Sequence, residues 1–314
     1  MKYTSFGGYN ISQLTLGTVQ LGLDYGISNA SGVPDPDESE RMLKVAVDAG
    51  INTIDTARQY GKSEEVLGDF VKHDQGLSGV NFVSKFKISP QNLVHPERAW
   101  NEVCESVKTS VQTLGIRKLP VCLFHKGEEP IRVVMAILPE IFRRLKEENL
   151  ISIGGLSAYF PDDVRSLLDN EEIAAAQIPL NIFDQRLIKT GLLDEMKAAG
   201  KLVFVRSVFL QGLFFLSPSQ LKGTLKKAEL HLKSLNKIAW RAEMTVAQLA
   251  FSFVRDLPGV KSIVFGAVNV EQVQENIRLL EGKAISPDLL LEIQALFGNV
   301  EEELITPGRW NLKV

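Results

Sequence analysis

Cysteine is scarce in this chain, and long hydrophobic runs are absent. Cys104 and Cys122 are the only two cysteines among 314 residues, and they form neither a CxxC pair nor a metal-ligand spacing. We therefore expect two buried thiols in a reducing compartment, and no metal site. No apolar stretch approaches the ~20 residues that cross a bilayer, and the opening residues MKYTSFGGYN lack the apolar centre of a secretion signal. The sequence predicts a cytoplasmic protein.

Blocks of one charge are also missing. The formal net charge is −3, with acidic and basic residues interspersed. Nucleic acids and membrane surfaces attract proteins through basic blocks, so neither is an expected partner. A hydrophobic content of 45% suffices for a large core, either in two ordinary domains or in one α/β barrel. A small-molecule partner remains open.

Short apolar runs alternate with helical patterns along the chain. A hairpin is predicted over residues 3–12, around Gly7 and Gly8. The predicted barrel strands are residues 14–18, 52–55, 80–84, 119–124, 150–156, 173–178, 202–205 and 263–265. This alternation predicts an α/β fold, a (β/α)8 TIM barrel with an N-terminal β-hairpin.

Helix signals complete the predicted fold. Asp35, Thr245 and Asn269 have the residue types and spacing of helix N-caps, and an extra C-terminal helix is predicted over residues 287–297. A doubly wound nucleotide fold would need GxGxxG after its first strand, which the spacing of Gly17 and Gly22 does not supply. No linker or repeat divides the chain, so residues 1–314 are predicted to form a single domain.

Four polar residues fall at the ends of consecutive predicted strands. Asp55 ends the second strand, Tyr60 lies in the loop after it, and Lys85 and His125 end the third and fourth strands. The carboxyl ends of barrel strands meet at one rim, where such barrels perform their chemistry. Each residue alone has an ordinary structural explanation, such as a turn carboxylate or a core histidine. Their common position on one rim indicates a site.

The chemistry of these four groups is complementary. A tyrosine has a pKa of ~10, but a neighbouring ammonium stabilises the phenolate, and a carboxylate can hold that ammonium in place. The tyrosine then serves as a general acid. An imidazole opposite it can hydrogen-bond a carbonyl oxygen without changing charge.

The motifs around these residues resemble the aldo-keto reductases. They are DTAxxYGxSE from Asp55, SK at Lys85, LFH at His125, LGT from Leu16, IGGLS from Ile153, QxPxN from Gln177, and the stretch from Gly266 to Asn276. The resemblance covers nearly the whole chain. It implies that the hairpin plugs the barrel and that hydride passes from a nicotinamide cofactor to an aldehyde or ketone, or back from an alcohol. Tyr60 would donate the proton, Asp55 and Lys85 would tune it, and His125 would orient the carbonyl.

The resemblance also implies a set of cofactor-binding residues. These are Gly17, Thr18, Ser157, Gln177, Arg206, Ser207, Gly212, Gly266, Gln272, Glu275 and Asn276. Two positions depart from the family pattern: Ala158 stands where an asparagine is usual, and Arg206 stands where an aromatic ring usually stacks on the nicotinamide. A guanidinium plane can also stack, or it can hold an anionic group of the substrate.

Cofactor choice is the larger departure. The family prefers NADP(H), and a phosphate normally requires arginine or lysine. The positions that match the family's 2′-phosphate cations are Gly266, Val268 and Gln272, none of which is charged. The resemblance favours NADP(H), and the missing cations leave NAD(H) open.

Substrate residues are less well marked. Tyr25, Phe86 and Trp310 are candidates to line an apolar pocket. Lys126, Arg206 and Arg309 are candidate anion contacts, which suggests an anionic or sugar-like carbonyl compound. The sequence does not indicate the oligomeric state.

Two other function classes compete with the reductase. One is a regulatory module that binds the cofactor with little turnover. The other is a Schiff-base lyase, in which Lys85 would be a nucleophile; pairing with Asp55 would keep that amine protonated and unreactive.

Overall fold

A computed structural model describes residues 1–73 and 79–312. Strands β1 (Tyr3–Phe6) and β2 (Tyr9–Ser12) form an antiparallel hairpin. Eight parallel strands then close into a barrel in chain order, β10 pairing with β3. They are β3 (Leu14–Gly17), β4 (Thr53–Asp55), β5 (Asn81–Phe86), β6 (Leu119–His125), β7 (Ile151–Ser157), β8 (Ala175–Pro179), β9 (Leu202–Arg206) and β10 (Ser262–Gly266). The predicted (β/α)8 barrel is confirmed.

Helices surround the barrel and fill its connections. They are α1 (Val19–Gly22), α2 (Pro36–Asp48), α3 (Ser63–His73), α4 (Pro96–Thr113), α5 (Ile131–Met135), α6 (Leu138–Glu147), α7 (Pro161–Leu167), α8 (Arg186–Lys189), α9 (Leu192–Ala198), α10 (Glu229–Arg241), α11 (Val246–Arg255), α12 (Val270–Leu279), α13 (Pro287–Phe297) and α14 (Glu302–Ile305). Asp35, Thr245 and Asn269 cap α2, α11 and α12 through their side chains, as predicted.

The strand boundaries differ from the predicted ones at several ends. Strand β5 runs to Phe86, two residues beyond the predicted end, and β8 begins at Ala175 rather than at residue 173. The predicted loop after β3 contains α1, a single helical turn. These ends are set by pairing with neighbouring strands, which an apolar run in the sequence does not reveal.

The hairpin closes the bottom of the barrel. Ile11 joins the barrel interior, a cluster of buried residues made by alternate positions of the strands, and Phe6 and Tyr9 pack against that cluster. The Tyr9 hydroxyl lies 2.8 Å from the Ser152 hydroxyl, and the Asn10 carbonyl accepts hydrogen bonds from two barrel asparagines. The predicted plug is confirmed, and it leaves the carboxyl ends of the strands as the open face.

The outer core lies between the strands and the helices. Successive side chains of a strand point to opposite faces, so Lys85 points into the barrel and Phe86 points out. Phe86 is 1% exposed and packs edge-on against Phe124 and Phe142, each with a ring separation of 5.8 Å. The prediction that Phe86 lines the substrate pocket is therefore wrong.

Cys104 and Cys122 are free and buried, as predicted. In the described part of the chain no cluster of side chains has metal-ligand geometry. Over residues 1–73 and 79–312, none of the helices combines the length and the hydropathy needed to span a membrane.

Candidate active site

The barrel register brings the predicted site residues to one rim. Asp55 pairs with Gly17 across the β3–β4 ladder, and His125 pairs with Ser157, which in turn pairs with Gln177. Gly17, Asp55, His125 and Ser157 are the last residues of their strands, and Gln177 lies two residues before the end of β8. The closed barrel thus forms a ring of polar side chains opposite the hairpin plug.

A buried ion pair lies at the centre of this ring. Lys85 Nζ donates hydrogen bonds to Asp55 Oδ2 at 2.7 Å, to the Thr56 carbonyl at 2.9 Å and to the Tyr60 hydroxyl at 3.3 Å. All three ammonium hydrogens are engaged. Gln177 Nε2 donates to the other Asp55 oxygen at 2.6 Å, so both carboxylate oxygens are satisfied. This arrangement fixes Lys85 beneath the Tyr60 hydroxyl.

The electrostatics around Tyr60 differ from the sequence-based expectation. Burial raises the pKa of Tyr60 well above its usual range, and the Asp55 charge raises it further. Arg206 opposes this shift and is the cation that lowers the Tyr60 pKa. Burial also lowers the pKa of Lys85, against the opposing charge of Asp55. Tyr60 is therefore a neutral phenol around neutral pH, the form that donates a proton.

His125 lies on the other side of Tyr60. The two rings meet edge to face with 6.0 Å between their centres, and His125 Nδ1 lies 3.3 Å from Gln59 Oε1. Burial, with the positive charges of Lys85, Lys87 and Arg206, lowers the pKa of His125 to about 3. The neutral ring can donate Nδ1–H to Gln59, and Nε2 remains for a ligand.

The loop that carries Tyr60 packs closely against α1 and is anchored by Glu64. A Cβ on Gly22 would lie 1.8 Å from the Tyr60 carbonyl oxygen, so only glycine permits this approach. Buried Glu64 accepts hydrogen bonds from Ser84 and Ser110 and pairs with Arg58 at 2.6 Å. The carboxylate ties the loop to β5 and α4, which limits the freedom of the tyrosine.

A groove of about 850 Å³ runs from this rim to the start of α12. It falls in the range of roughly 300–1,000 Å³ typical of small-ligand pockets. The predicted cofactor and substrate residues that line it are Gly17, Thr18, Tyr25, Gln177, Arg206, Ser207, Gly212, Gly266, Gln272, Glu275 and Asn276. Ser157 is buried beside Gln177, with its hydroxyl 3.5 Å from Gln177 Oε1.

Two loops meet above the middle of the groove. Gln211 Nε2 donates to the Tyr25 hydroxyl at 2.8 Å, and the Ile27 amide donates to the Gln211 carbonyl at 3.1 Å. Gly212 has φ +92°, and a Cβ there would lie 2.0 Å from Ser28 Oγ. The glycine thus allows the loop after β9 to close against the loop after α1.

Arg206 is the last residue of β9 and lines the groove beside Ser207. Its guanidinium carbon lies 4.4 Å from the centre of the Tyr159 ring, and its amines donate to the Ala158 carbonyl and to Ser207 Oγ. Over residues 1–73 and 79–312 no carboxylate lies within ion-pair distance of it. Arg206 therefore presents an uncompensated positive charge to the groove.

The other candidate substrate residues do not line the groove. Lys126 is buried 3.4 Å from Asp163, and Arg309 pairs with Glu302 at 2.5 Å. Trp310 donates its indole N–H to the Leu304 carbonyl and packs against the outer core. Lys126 and Arg309 are already neutralised by carboxylates, which leaves Arg206 as the available anion contact.

Sequence reasoning missed several residues at the site. Gln59, Tyr159 and Gln20 were not singled out, although Gln59 lies inside the Asp55–Tyr60 motif and Tyr159 follows the Ser157 motif. Polar residues within a motif are a usable signal for Gln59. For Tyr159 and Gln20 the sequence carries no signal, because their roles depend on contacts with Arg206 and Gly266.

The groove has the features that a nicotinamide dinucleotide requires. Gln20 Oε1 and Asn276 Oδ1 are buried side-chain oxygens without a hydrogen-bond partner in the described residues, and both residues line the groove. Buried acceptors of this kind are normally satisfied, so a ligand with hydroxyl or amine donors fits here. The groove extends from the polar rim at Tyr60, past Gln20 of α1, to Asn276 of α12. The residues that line the groove therefore fit a nicotinamide dinucleotide.

Comparisons with known proteins agree with this geometry. The chain is 23% identical over 320 residues to L-glyceraldehyde 3-phosphate reductase of Escherichia coli, covering 90% of this chain and 89% of that protein. It is similar in fold to aldo-keto reductase AKR11C1 of Bacillus halodurans (holo form), with 22% identity, a TM-score of 0.77, and coverage of 98% of this chain and 100% of that one.

A second structure of similar fold was solved with a cofactor bound. The aldo-keto reductase of Klebsiella pneumoniae in complex with NADPH is 23% identical, with a TM-score of 0.70 and coverage of 100% of this chain and 99% of that one. The family model "Aldo/keto reductase family" matches residues 13–296. The chain therefore belongs to the aldo/keto reductase family of NAD(P)-dependent oxidoreductases.

Proposed function

We propose that this protein reduces a small aldehyde or ketone with NADPH or NADH, or catalyses the reverse oxidation, with Tyr60 as the proton donor. The observation that carries the proposal is the position of Lys85, 3.3 Å from the Tyr60 hydroxyl and 2.7 Å from Asp55. Asp55 and Tyr60 line a groove that is large enough for a dinucleotide.

The residues divide the reaction between them. A bound nicotinamide supplies the hydride that adds to the carbonyl carbon. Tyr60 gives its phenolic proton to the carbonyl oxygen, so that the alcohol leaves neutral. Lys85 stabilises the resulting phenolate, and Asp55 keeps the ammonium charged and in position. Solvent then restores the proton on Tyr60.

His125 orients the substrate. Its lowered pKa keeps the imidazole neutral over the working range of pH. With Nδ1–H donated to Gln59 Oε1, Nε2 is an acceptor; in the other tautomer the Gln59 side chain turns so that its amide nitrogen donates to Nδ1, and Nε2–H faces a carbonyl oxygen. Selection of the donor tautomer would place the substrate carbonyl between His125 and Tyr60.

The cofactor would lie along the groove. Ser157 and Gln177 are positioned for the nicotinamide amide, next to Gly17 and Thr18. Ser207 and Gly212 belong to the loop that would cover the diphosphate. Glu275 and Asn276 lie at the far end, where Asn276 Oδ1 would accept from the adenine amine.

The charge of the rim favours an anionic substrate. Asp55 and Lys85 compensate each other and His125 is neutral, so Arg206 leaves the rim with an excess positive charge. A guanidinium binds a carboxylate or phosphate in a fixed, bidentate geometry. The Escherichia coli relative is named for a phosphorylated aldehyde, which is consistent with this preference. A carbonyl compound with a carboxylate or phosphate, such as a sugar acid or sugar phosphate, is the proposed class.

Both competing classes lack support. A Schiff-base lyase needs a free amine, but all three hydrogens of the Lys85 ammonium are engaged. A regulatory module would not require the phenol, ammonium and carboxylate to be linked by hydrogen bonds at the rim. We further propose that residues 1–314 form one domain and that the protein is cytoplasmic, in keeping with its two free, buried cysteines.

A binding titration followed by turnover tests the proposal. The purified protein is titrated with NADPH and with NADH by cofactor fluorescence, and then glyceraldehyde, glyceraldehyde 3-phosphate and succinic semialdehyde are added in turn. We expect oxidation of the cofactor with the two anionic aldehydes at lower KM than with the neutral one. Cofactor binding without oxidation by any carbonyl compound in a broad panel would favour the regulatory module.

A further inference from the structure

The far end of the groove, here called the adenosine end, is formed by the last residue of β10 and the first turns of α12. Its lining residues are Gly266, Val268, Gln272, Glu275, Asn276 and Arg278. The name rests on the proposed function, which orients a dinucleotide with its nicotinamide at Tyr60. The charge of this end decides whether the adenosine ribose carries a 2′-phosphate or a 2′-hydroxyl.

Neutral groups occupy the positions where a phosphate needs cations. Gly266 has no side chain, and the space beside it is filled by Gln20, whose amide atoms lie 2.4 and 2.6 Å from the place of a Cβ. A side chain at position 266 would require the end of the Gln20 side chain to move. Gln20 Oε1 is buried without a partner in the described residues, and an acceptor of this kind matches a hydroxyl donor better than a phosphate oxygen.

The start of α12 is already occupied by protein groups. Glu38 of α2 accepts a hydrogen bond from the Val270 amide at 2.8 Å. Asn269 accepts from the Gln272 amide, and Gln272 Oε1 accepts from the Val268 amide at 3.0 Å. A helix start normally attracts anions through such free amides. Here the Val270 and Gln272 amides of the first turn are engaged by side chains, as is the Val268 amide just before the helix.

Glu38 adds a charge of the wrong sign for a phosphate. Its hydrogen bond from Arg41, and then that from the Val270 amide, hold the pKa of the Glu38 carboxyl below its usual value, so it is ionised at neutral pH. Arg41 forms a salt bridge with it at 2.5 Å and compensates much of this charge. A 2′-phosphate at this helix start would still have to compete with the Glu38 carboxylate for the Val270 amide.

One cation lines the adenosine end in the described part of the chain. Arg278 is exposed, and it lies six residues after Gln272, about 9 Å further along the helix at 1.5 Å per residue. That distance takes it past the first turn of α12. Glu275, one turn before it on the neighbouring face, carries the opposite charge. An exposed guanidinium in this setting is a weak phosphate ligand.

We propose that this protein takes NADH as well as NADPH and binds NADH at least as tightly, because the neutral side chains of Gln20 and Gln272 receive the adenosine ribose and Glu38 disfavours a 2′-phosphate.

A fluorescence titration with both cofactors tests this without reference to activity. We expect the Kd for NADH to equal or fall below that for NADPH. Gln272→Arg adds a cation at the exposed start of α12 and should tighten NADPH at least tenfold without tightening NADH, since the substitution also removes the neutral side chain that receives the ribose. Glu38→Gln, which keeps a hydrogen-bond acceptor but removes the charge, should tighten NADPH two- to fivefold and leave NADH unchanged. A melting curve for each variant verifies folding.

Arg278→Ala tests the one cation that lines the adenosine end in the described part of the chain. We expect it to change the Kd of each cofactor less than threefold. A larger loss that is selective for NADPH would identify Arg278 as the phosphate ligand and overturn the proposal. Tighter binding of NADPH than of NADH by the natural sequence would overturn it as well, with the proposed reductase intact. Failure of both cofactors to bind would overturn it together with the proposed function.

Discussion

The two ends of the groove are built in opposite ways. The nicotinamide end, made by Asp55, Tyr60, Lys85, His125 and Arg206, rests on side chains at the ends of barrel strands, and its ion pair is buried with every hydrogen bond satisfied. The adenosine end uses exposed residues of a surface helix, of which Gln272, Glu275 and Arg278 lie in solvent. A buried charge cannot be changed without a large cost, whereas an exposed helix position can. The chemistry is therefore constrained and the cofactor form is adjustable.

Tyr60→Phe should have the largest effect on turnover of the substitutions considered at either end of the groove. Loss of the proton donor should lower kcat for carbonyl reduction by about 10²–10⁴-fold. The cofactor Kd should stay within about twofold, because the phenol lies at the substrate side of the groove. Steady-state kinetics and fluorescence titration measure the two quantities. An equal loss of binding and turnover would contradict the assigned role.

Lys85→Met tests the stability of the nicotinamide end. It leaves Asp55 buried without its cation, which should lower the free energy of unfolding by about 3–5 kcal/mol. Urea denaturation measures this value. The double variant Asp55→Asn/Lys85→Met removes both charges and should recover part of the loss. A single variant that loses less than about 1 kcal/mol would show that the pair is not the buried support described here.

Arg206→Met sharpens the contrast on the substrate side. Removal of a charged hydrogen-bond donor should raise KM for a carboxylated or phosphorylated aldehyde by about 10–100-fold. KM for neutral glyceraldehyde should change little. Arg309→Met is the matched control, since Arg309 pairs with Glu302 outside the groove. Equal changes for charged and neutral aldehydes would instead indicate that Arg206 supports the nicotinamide.

The smallest effect is expected from pH. Reduction needs protonated Tyr60, and its raised pKa keeps the phenol protonated, so kcat for reduction should stay level from pH 6 to pH 9. The reverse oxidation needs the phenolate and should rise with pH over the same range. His125, with a pKa of about 3, should produce no inflection near the ordinary histidine value of ~6.5. An inflection there that disappears in His125→Asn would show that His125 titrates.

The strand-end residues could be predicted because parallel barrel strands all end at one rim. Asp55, Lys85 and His125 needed only a strand assignment accurate to one or two residues. Phe86 was assigned wrongly although the same alternation that turns Lys85 inward turns Phe86 outward, towards Phe124 and Phe142. Adjacent residues of a strand point to opposite faces, so a residue next to Lys85 in the sequence does not share its position in the site.

Contacts between segments far apart in the chain cannot be predicted from strand periodicity. Glu38 meets the Val270 amide across 232 residues of chain, and Arg206 meets the Ala158 carbonyl across 48. The occupied helix start and the uncompensated guanidinium both follow from these contacts. The sequence does not reveal either partner, because it is chosen by packing of α2 against α12 and by the barrel order, in which β8 separates β9 from β7.

The sequence by itself determined the barrel, its plug and the strand ends that carry the four polar groups, since these depend on local periodicity and on a topology that all such barrels share. Only the tertiary structure decided the charge state of Tyr60 and His125, the partners of Arg206 and the engagement of the α12 amides by Glu38 and Asn269. Those properties depend on burial and on distances between groups far apart in the chain, and electrostatic energy in a protein interior is set by both.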